Sequence, residues 1–218
     1  MTGILCFGAG GHAAVVLDAL LQIAGTQAIR IAGLVAKTAS FEPIFGIPIL
    51  GGDSDLPTLI EQTGATHFVV GIGMIRGGNP LRARIYTTAI EHGLKPFTVI
   101  HPSATVSPRA EIAAGACILA GAIVQPRSRI GANCIINTKA SVDHDGDIGD
   151  HTHIAPGVTL SGDVKVGRTV LIGTGAVVLN GMVIGNDATL GAGAVLTTHC
   201  LPGTTMIGVP ARAVGAPK

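Results

Sequence analysis

The feature that most limits how this chain can fold is a six-residue beat through its second half. Every sixth position from Val106 is aliphatic: Val106, Ile112, Ile118, Val124, Ile130, Ile136, Val142, Ile148, Ile154, Leu160, Val166, Ile172, Val178, Ile184, Leu190 and Leu196. If a third of residues were of these types, chance would produce the run less than about once in ten million tries, so the repeat is real. A period of six is neither helical nor simple strand alternation. It fits a chain that turns a corner after each short strand, three strands closing one triangular coil, with the aliphatics pointing into the prism. Residues four after the aliphatic are small at Ala110, Ala116, Ala122, Ser128, Cys134, Ala140 and Gly146, and are expected where the backbone turns sharply. Glycine follows the aliphatic at Gly131, Gly149, Gly167, Gly173, Gly185 and Gly191. Coils about 4.8 Å apart make a column roughly 24 Å tall from about five turns.

Residues 1–100 follow another rhythm. Apolar runs at Ile4–Phe7, Ile29–Val35, Ile47–Leu50, His67–Ile72 and Phe97–Ile100 read as strands, and His12–Ala24, Asp53–Gln62 and Leu81–Glu91 as helices. Alternation of this kind predicts a small parallel sheet covered by helices. The expected organisation is an α/β, Rossmann-like domain over residues 1–100 and an all-β parallel β-helix over 101–218. Gly8-Ala9-Gly10-Gly11-His12-Ala13 lies between the first strand and the first helix, where glycines let a phosphate approach the helix N-terminus. A NAD site needs an acidic residue about twenty positions on. Gly33-Leu34-Val35-Ala36-Lys37 has none, which argues against dinucleotide redox chemistry.

Charge narrows the partners. Lys and Arg number 14 against 13 Asp and Glu, a balance with no basic stripe for nucleic acid. Although 47% of residues are hydrophobic, no apolar run is long enough to cross a bilayer, and no signal peptide is read at the start. Cys6, Cys117, Cys134 and Cys200 are scattered, as expected of core residues in a reducing compartment, and a cytoplasmic location follows as the expectation.

Three further segments carry a family resemblance: His101-Pro102-Ser103-Ala104 opening the repeats, Asn137-Thr138-Lys139-Ala140-Ser141-Val142-Asp143-His144-Asp145 within them, and Gly208-Val209-Pro210-Ala211-Arg212 closing them. With the N-terminal glycine loop, these resemble the NeuD/PglD-type sugar acetyltransferases of bacterial surface-glycan pathways. The resemblance implies a left-handed β-helix, a homotrimer, acetyl-CoA as co-substrate, no metal, and an amino-sugar acceptor carried on a nucleotide. It implies His144 as general base, with Asp145 setting its basicity. It also implies that Gly10, Gly11 and His12 hold the nucleotide-sugar, His12 at the sugar end. His153 and Gly162 contact the acetyl donor, Gly162 through its N–H, while Gly173 and Gly191 are points of close CoA approach. His144 is expected at the prism exterior or a corner, and half a coil separates it from His153, so the two are expected to meet only between subunits. Ala36-Lys37 departs from the acidic residues of many relatives and leaves the nucleotide open. Arg76 and Arg82, beside the long loop Gly73–Asn79, are candidate anion contacts.

The chemistry agrees with that reading. Acetyl transfer removes a proton as the thioester carbonyl is attacked, imidazole titrates near neutral pH, and a neighbouring carboxylate raises its basicity and fixes its tautomer. No Ser or Cys is placed to form an acyl-enzyme, so direct transfer is expected. Three alternatives stand beside it. O-acetylation of a sialic-acid-type sugar needs the same base. A zinc hydratase on this fold needs three histidines at one subunit interface; His101, His144, His151, His153 and His199 do not recur at one corner position. A non-catalytic trimeric scaffold needs none of them.

Overall fold

The computed structural model describes residues 1–37 and 42–214. In the first half, β1 (Thr2–Phe7), α1 (Gly11–Ala24), β2 (Ile29–Val35), β3 (Ile49–Gly51), α2 (Leu56–Thr63), β4 (His67–Val70), α3 (Leu81–Glu91) and β5 (Lys95–Pro96) follow one another. The strands form one parallel sheet in the order β3-β2-β1-β4-β5. Central β1 has both faces covered, which is why Ile4, Leu5 and Cys6 form an unbroken apolar run that is wholly buried. Strand order reverses between β1 and β4, and a crevice opens at their carboxyl ends. The backbones there are in close contact. Gly71 donates its N–H to the Phe7 carbonyl at 2.8 Å. A Cβ on Gly8, whose φ is +111°, would lie 2.8 Å from Ile72, and one on Gly71 would lie 2.8 Å from the Cys6 sulfur.

From Val99 the chain winds into the triangular prism that the repeat predicts, with one two-residue strand per hexad. Face one runs from Val99–Ile100 through Cys117–Ile118, Ile135–Ile136 and His153–Ile154 to Leu171–Ile172 and Thr189–Leu190. Face two runs from Thr105–Val106 through Ile123–Val124, Ser141–Val142 and Thr159–Leu160 to Val195–Leu196. Face three runs from Glu111–Ile112 through Arg129–Ile130, Asp147–Ile148 and Lys165–Val166 to Val183–Ile184. Each strand pairs in parallel with its counterpart one coil away, for example Ile136 with Ile154 and Val142 with Leu160. The aliphatics from Ile118 to Leu196 are all buried, and Val106 and Ile112 are half-buried at the open end. This is a parallel β-helix, three strands to a coil.

Two readings of the repeat change. Phe97–Ile100, expected as one strand of the first half, does not form one there. Lys95–Pro96 pairs with β4, whereas Val99–Ile100 pairs with Cys117–Ile118 and starts the prism. The sharp turn also falls elsewhere than on the small residues. The left-handed backbone belongs to the third residue after each aliphatic from Ile112 to Leu190, at Gly115, Gly121, Arg127, Asn133, Lys139, Asp145 and onward. The fourth residue points inward, so Ala116, Ala122, Ser128, Cys134 and Ala140 are small because they fill the inner corners of the prism. The glycines directly after the aliphatics are set by coil stacking. A Cβ on Gly149 would lie 2.6 Å from the backbone of Gly167.

The outward residue of each strand decides what its face meets. On face one Cys117 and Ile135 join Leu119, Val16, Leu17 and Leu20 in a single core, so α1 lies on that face and the two halves share apolar packing. Face three presents Glu111, Arg129, Asp147 and Lys165, charges of alternating sign that belong in water. Face two leaves Ile123 exposed, with Leu179 exposed at the corner beyond it. At the far end the antiparallel pair Thr205–Ile207 and Arg212–Val214 closes the column and places Met206 and Ala211 in its core. Among the described residues, no helix is long and apolar enough to cross a membrane.

Candidate active site

His144 lies at the corner leaving face two, and its side chain is 52% exposed. The corner is held from several sides. The Asp143 carboxylate accepts the His144 backbone N–H at 2.7 Å. The buried Ser128 hydroxyl, one coil earlier, donates to the Asp143 carbonyl at 2.7 Å and accepts the Gly146 N–H at 3.2 Å. His144 Nδ1 lies 2.7 Å from Asp145 Oδ2. With Nδ1–H donated there, Nε2, which lies beside Gly162, keeps a free lone pair, the tautomer a general base requires. Arg127 grips the same carboxylate, Nε to Oδ1 at 2.6 Å and Nη2 to Oδ2 at 2.7 Å. Arg127 first, and then His144, hold the Asp145 carboxyl well below the usual carboxylate range, so it stays ionised.

Gly162 stands one coil after His144. A Cβ on it would lie 2.4 Å from His144 Cε1 and 2.5 Å from Nε2, so the absence of a side chain is what lets the imidazole lie there. Among the described residues no acceptor takes the Gly162 N–H, which leaves a donor beside the imidazole. Gly173 and Gly191 have a different setting. A Cβ on Gly173 would meet the backbone N of Ala192 at 2.6 Å, and one on Gly191 would meet Ile207 at 2.7 Å. Coil packing alone therefore accounts for both glycines.

The N-terminal residues form a second cluster where the first half meets face one. Among the described residues, chain neighbours and the helix's own backbone aside, no atom lies within 4 Å of where a Cβ on Gly10 or Gly11 would sit, so the helix start is open to a ligand. α1 has no side-chain cap and no acidic residue in its first turn, which leaves its N–H groups and positive end for an anion. His12 and His153 approach with ring centroids 6.0 Å apart. Among the described residues His12 Nε2 is buried without a partner. Met74 donates its N–H to His153 Nδ1 at 3.2 Å, and the Asn137 amide nitrogen lies 3.0 Å from Nε2. Burial, then the Arg82 guanidinium, hold His153 down to about 4. Burial, Arg82 and His153, in that order, hold His12 down to about 3. Both rings are neutral at physiological pH. Within one chain His153 is on face one and His144 at the corner after face two, and no hydrogen bond joins them among the described residues.

Arg82 is not an anion contact. It is buried, donating from Nη1 to the carbonyls of Val70 and Ile72 and from Nη2 to the Asn133 carbonyl at 2.8 Å and Oδ1 at 2.7 Å. It ties the end of β4 to a corner of the prism, and burial lowers it to about 10. The loop after β4 is tied down as well: Gly78 donates its N–H to the Thr169 carbonyl at 2.9 Å, and Gly77 donates to Thr189 Oγ1 at 2.9 Å. Arg76 lines a cavity of about 550 Å³ between this loop and the closing hairpin, away from His144. Sequence reasoning missed Arg127, Ser128 and Asn137. The signal available for the first two was their offset of one coil from Asp145 and Gly146. Among the described residues, no group of three or more His, Cys, Asp or Glu is placed to hold a metal ion.

Residues 3–89 match the PglD N-terminal domain. Over its length the chain is 37% identical to PerB from Caulobacter crescentus, solved with CoA and GDP-perosamine, covering 99% of this chain and 98% of that one with a TM-score of 0.90. It is 34% identical to the acetyltransferase domain of PglB from Neisseria gonorrhoeae in complex with acetyl coenzyme A, covering 97% and 98% with a TM-score of 0.85. WeeI from Acinetobacter baumannii shares the fold at 24% identity and a TM-score of 0.85 over 98% and 100% of the two chains. Among curated proteins compared by sequence, none matches.

Two outcomes follow from this geometry. Gly162→Ala will force the His144 ring to move by about 1 Å or more to reach ordinary contact distance, and a crystal structure will show it drawn off Asp145. The second concerns acid. His12 and His153 titrate near the ordinary 6.5 once unfolded but only near 3 and 4 when folded. The unfolded chain therefore binds more protons below that value. Stability is full above the ordinary value and falls as pH drops toward the folded values, by up to a few kcal/mol. Urea midpoints across that range will show the slope, and His153→Gln will flatten part of it.

Proposed function

The chain belongs to the PglD-type sugar N-acetyltransferases, and on that footing we propose that it moves an acetyl group from acetyl-CoA to the amine of a nucleotide-linked amino sugar. The full-length likeness to a GDP-perosamine N-acetyltransferase holding CoA and its sugar nucleotide carries this reading. The His144–Asp145 pair supplies its chemistry. His144 Nε2 takes a proton as the amine nitrogen attacks the thioester carbonyl. The C–N bond forms, the C–S bond breaks, and the electron pair leaves on sulfur as CoA thiolate. Asp145 stabilises the imidazolium. Gly162 N–H donates to the oxygen on which charge develops, a kind of contact that strengthens in the transition state. No acyl-enzyme intervenes. The open loop at Gly10, Gly11 and His12 takes the phosphates and sugar of the acceptor, with the unpartnered His12 Nε2 as a polar contact to the sugar. His153, Gly173 and Gly191 border the acetyl-CoA path. Lys37, two residues past β2, offers a nucleotide no carboxylate, and the choice of nucleotide is left to experiment.

The working form is a homotrimer in the cytoplasm, serving surface-glycan biosynthesis. The support for a trimer is physical. His144 stands half-exposed at a corner, and the exposed Ile123 and Leu179 flank the strip that carries it. Packing that strip against a second prism covers the apolar residues and shields the base from water.

A panel of nucleotide-linked amino sugars, GDP-perosamine included, assayed for CoA release will identify the acceptor. Turnover of free sialic acid and of no amine would establish the O-acetylating alternative instead. His144→Ala will lower kcat by about 10²–10⁴-fold with the oligomer intact. Ile123→Asp combined with Leu179→Asp will give monomers in sedimentation and abolish turnover; full activity in the monomer would overturn the shared site.

A further inference from the structure

One carboxylate at the proposed site answers to three donors. Asp145 Oδ2 receives both His144 Nδ1 and Arg127 Nη2 at 2.7 Å, while Oδ1 receives Arg127 Nε at 2.6 Å. Arg127 occupies the same corner position as Asp145, one coil earlier, and both have φ near +60°. Coil stacking therefore aims the guanidinium and the carboxylate at each other. The pair is solvent-exposed, Arg127 by 66%, and exposed ion pairs contribute little to folding. What the fork fixes is the angle of the carboxylate plane, and hence the lone pair offered to His144.

We propose that Arg127 is a positioning residue for acetyl transfer, orienting Asp145 and offsetting its charge so that its carboxylate holds His144 in the tautomer with Nε2 free. This rests on the reading of His144 as the base. The charged groups around His144 are Asp143 and Asp145 in its own corner, Arg127 in the preceding coil, and Asp163 in the following one, whose N–H donates to the His144 carbonyl at 2.9 Å. Lys165 lies 3.9 Å from Asp163. Three carboxylates thus face two cations. Removing the guanidinium leaves the imidazole in a more negative field, which favours the protonated ring, and a protonated ring takes no proton from the attacking amine. The loss is therefore greatest in acid. The depressed Asp145 carboxyl agrees with this arrangement.

The test is kcat and KM across neutral pH for full-length Arg127→Gln, Arg127→Lys, Asp145→Asn, the Arg127→Gln/Asp145→Asn double variant and His144→Ala. The expected result for Arg127→Gln is a kcat several-fold lower on the acid side and partly recovered on the alkaline side, with KM for acetyl-CoA little changed. The acid limb of its profile moves to higher pH. Arg127→Lys keeps the charge but not the fork, so it restores the acid limb while kcat stays below wild type. In the Asp145→Asn background, Arg127→Gln adds no further loss. A Arg127→Gln profile parallel to wild type, or losses that multiply in the double variant, overturns the proposal. If either occurs while His144→Ala is inactive, only the role of Arg127 falls. Full activity in His144→Ala removes the base reading itself.

Discussion

Parallel pairing between successive coils sets the position of nearly every residue that matters in the second half of the molecule. Ile135 donates its N–H to the Thr152 carbonyl at 2.9 Å, Asn137 does the same to Ile154 at 2.9 Å, and the pattern continues up the column. Because the backbone groups must all be satisfied, the register cannot slip without breaking every coil above. Residues one coil apart are consequently stacked whatever their chemistry. The prism needs only an aliphatic at the inward position and a small group in the inner corner. The remaining positions of the hexad are free to hold Arg127 under Asp145, Ser128 under Gly146, and Gly162 against His144. A site built this way inherits the stiffness of its scaffold, since no loop has to order before the base and its carboxylate meet.

The junction between the halves uses different means. Among the described residues Arg82 has no carboxylate partner; its Nη1 and Nη2 donate to backbone carbonyls and an amide oxygen, while Nε is buried without a partner. A buried cation so placed disfavours further positive charge nearby, which, with burial itself, keeps His12 and His153 neutral. Neutral rings accept hydrogen bonds as well as donate them, and His153 uses one nitrogen to receive the Met74 N–H. The same clamp sets the crevice at the ends of β1 and β4 beside face one. The open helix start at Gly10 and Gly11 is thereby held in fixed relation to the column.

Much of this was legible in the residues. The beat from Val106 to Leu196 specified the prism, and the strand–glycine–helix order at the start specified the parallel sheet, because apolar periodicity follows directly from which face is buried. The exposed corner of His144 was legible because it stands two residues past an inward Val142. Arg82 misled, since a charged residue near a glycine loop looks like an anion contact until its burial is known. The small residues four past each aliphatic misled in another way: the need for a small side chain in an inner corner and the need for a sharp turn leave the same trace in composition.

The amino-acid sequence by itself determined the two-part architecture, the hexad register and the place of His144 outside the core, because periodic burial is a local property of the chain. Only the tertiary structure decided that Arg127 shares the carboxylate with His144, that Gly162 is bare to admit an imidazole, and that Arg82 is a buried clamp. Each of those depends on which coil or which half lies against another, and such contacts arise only when distant segments stack.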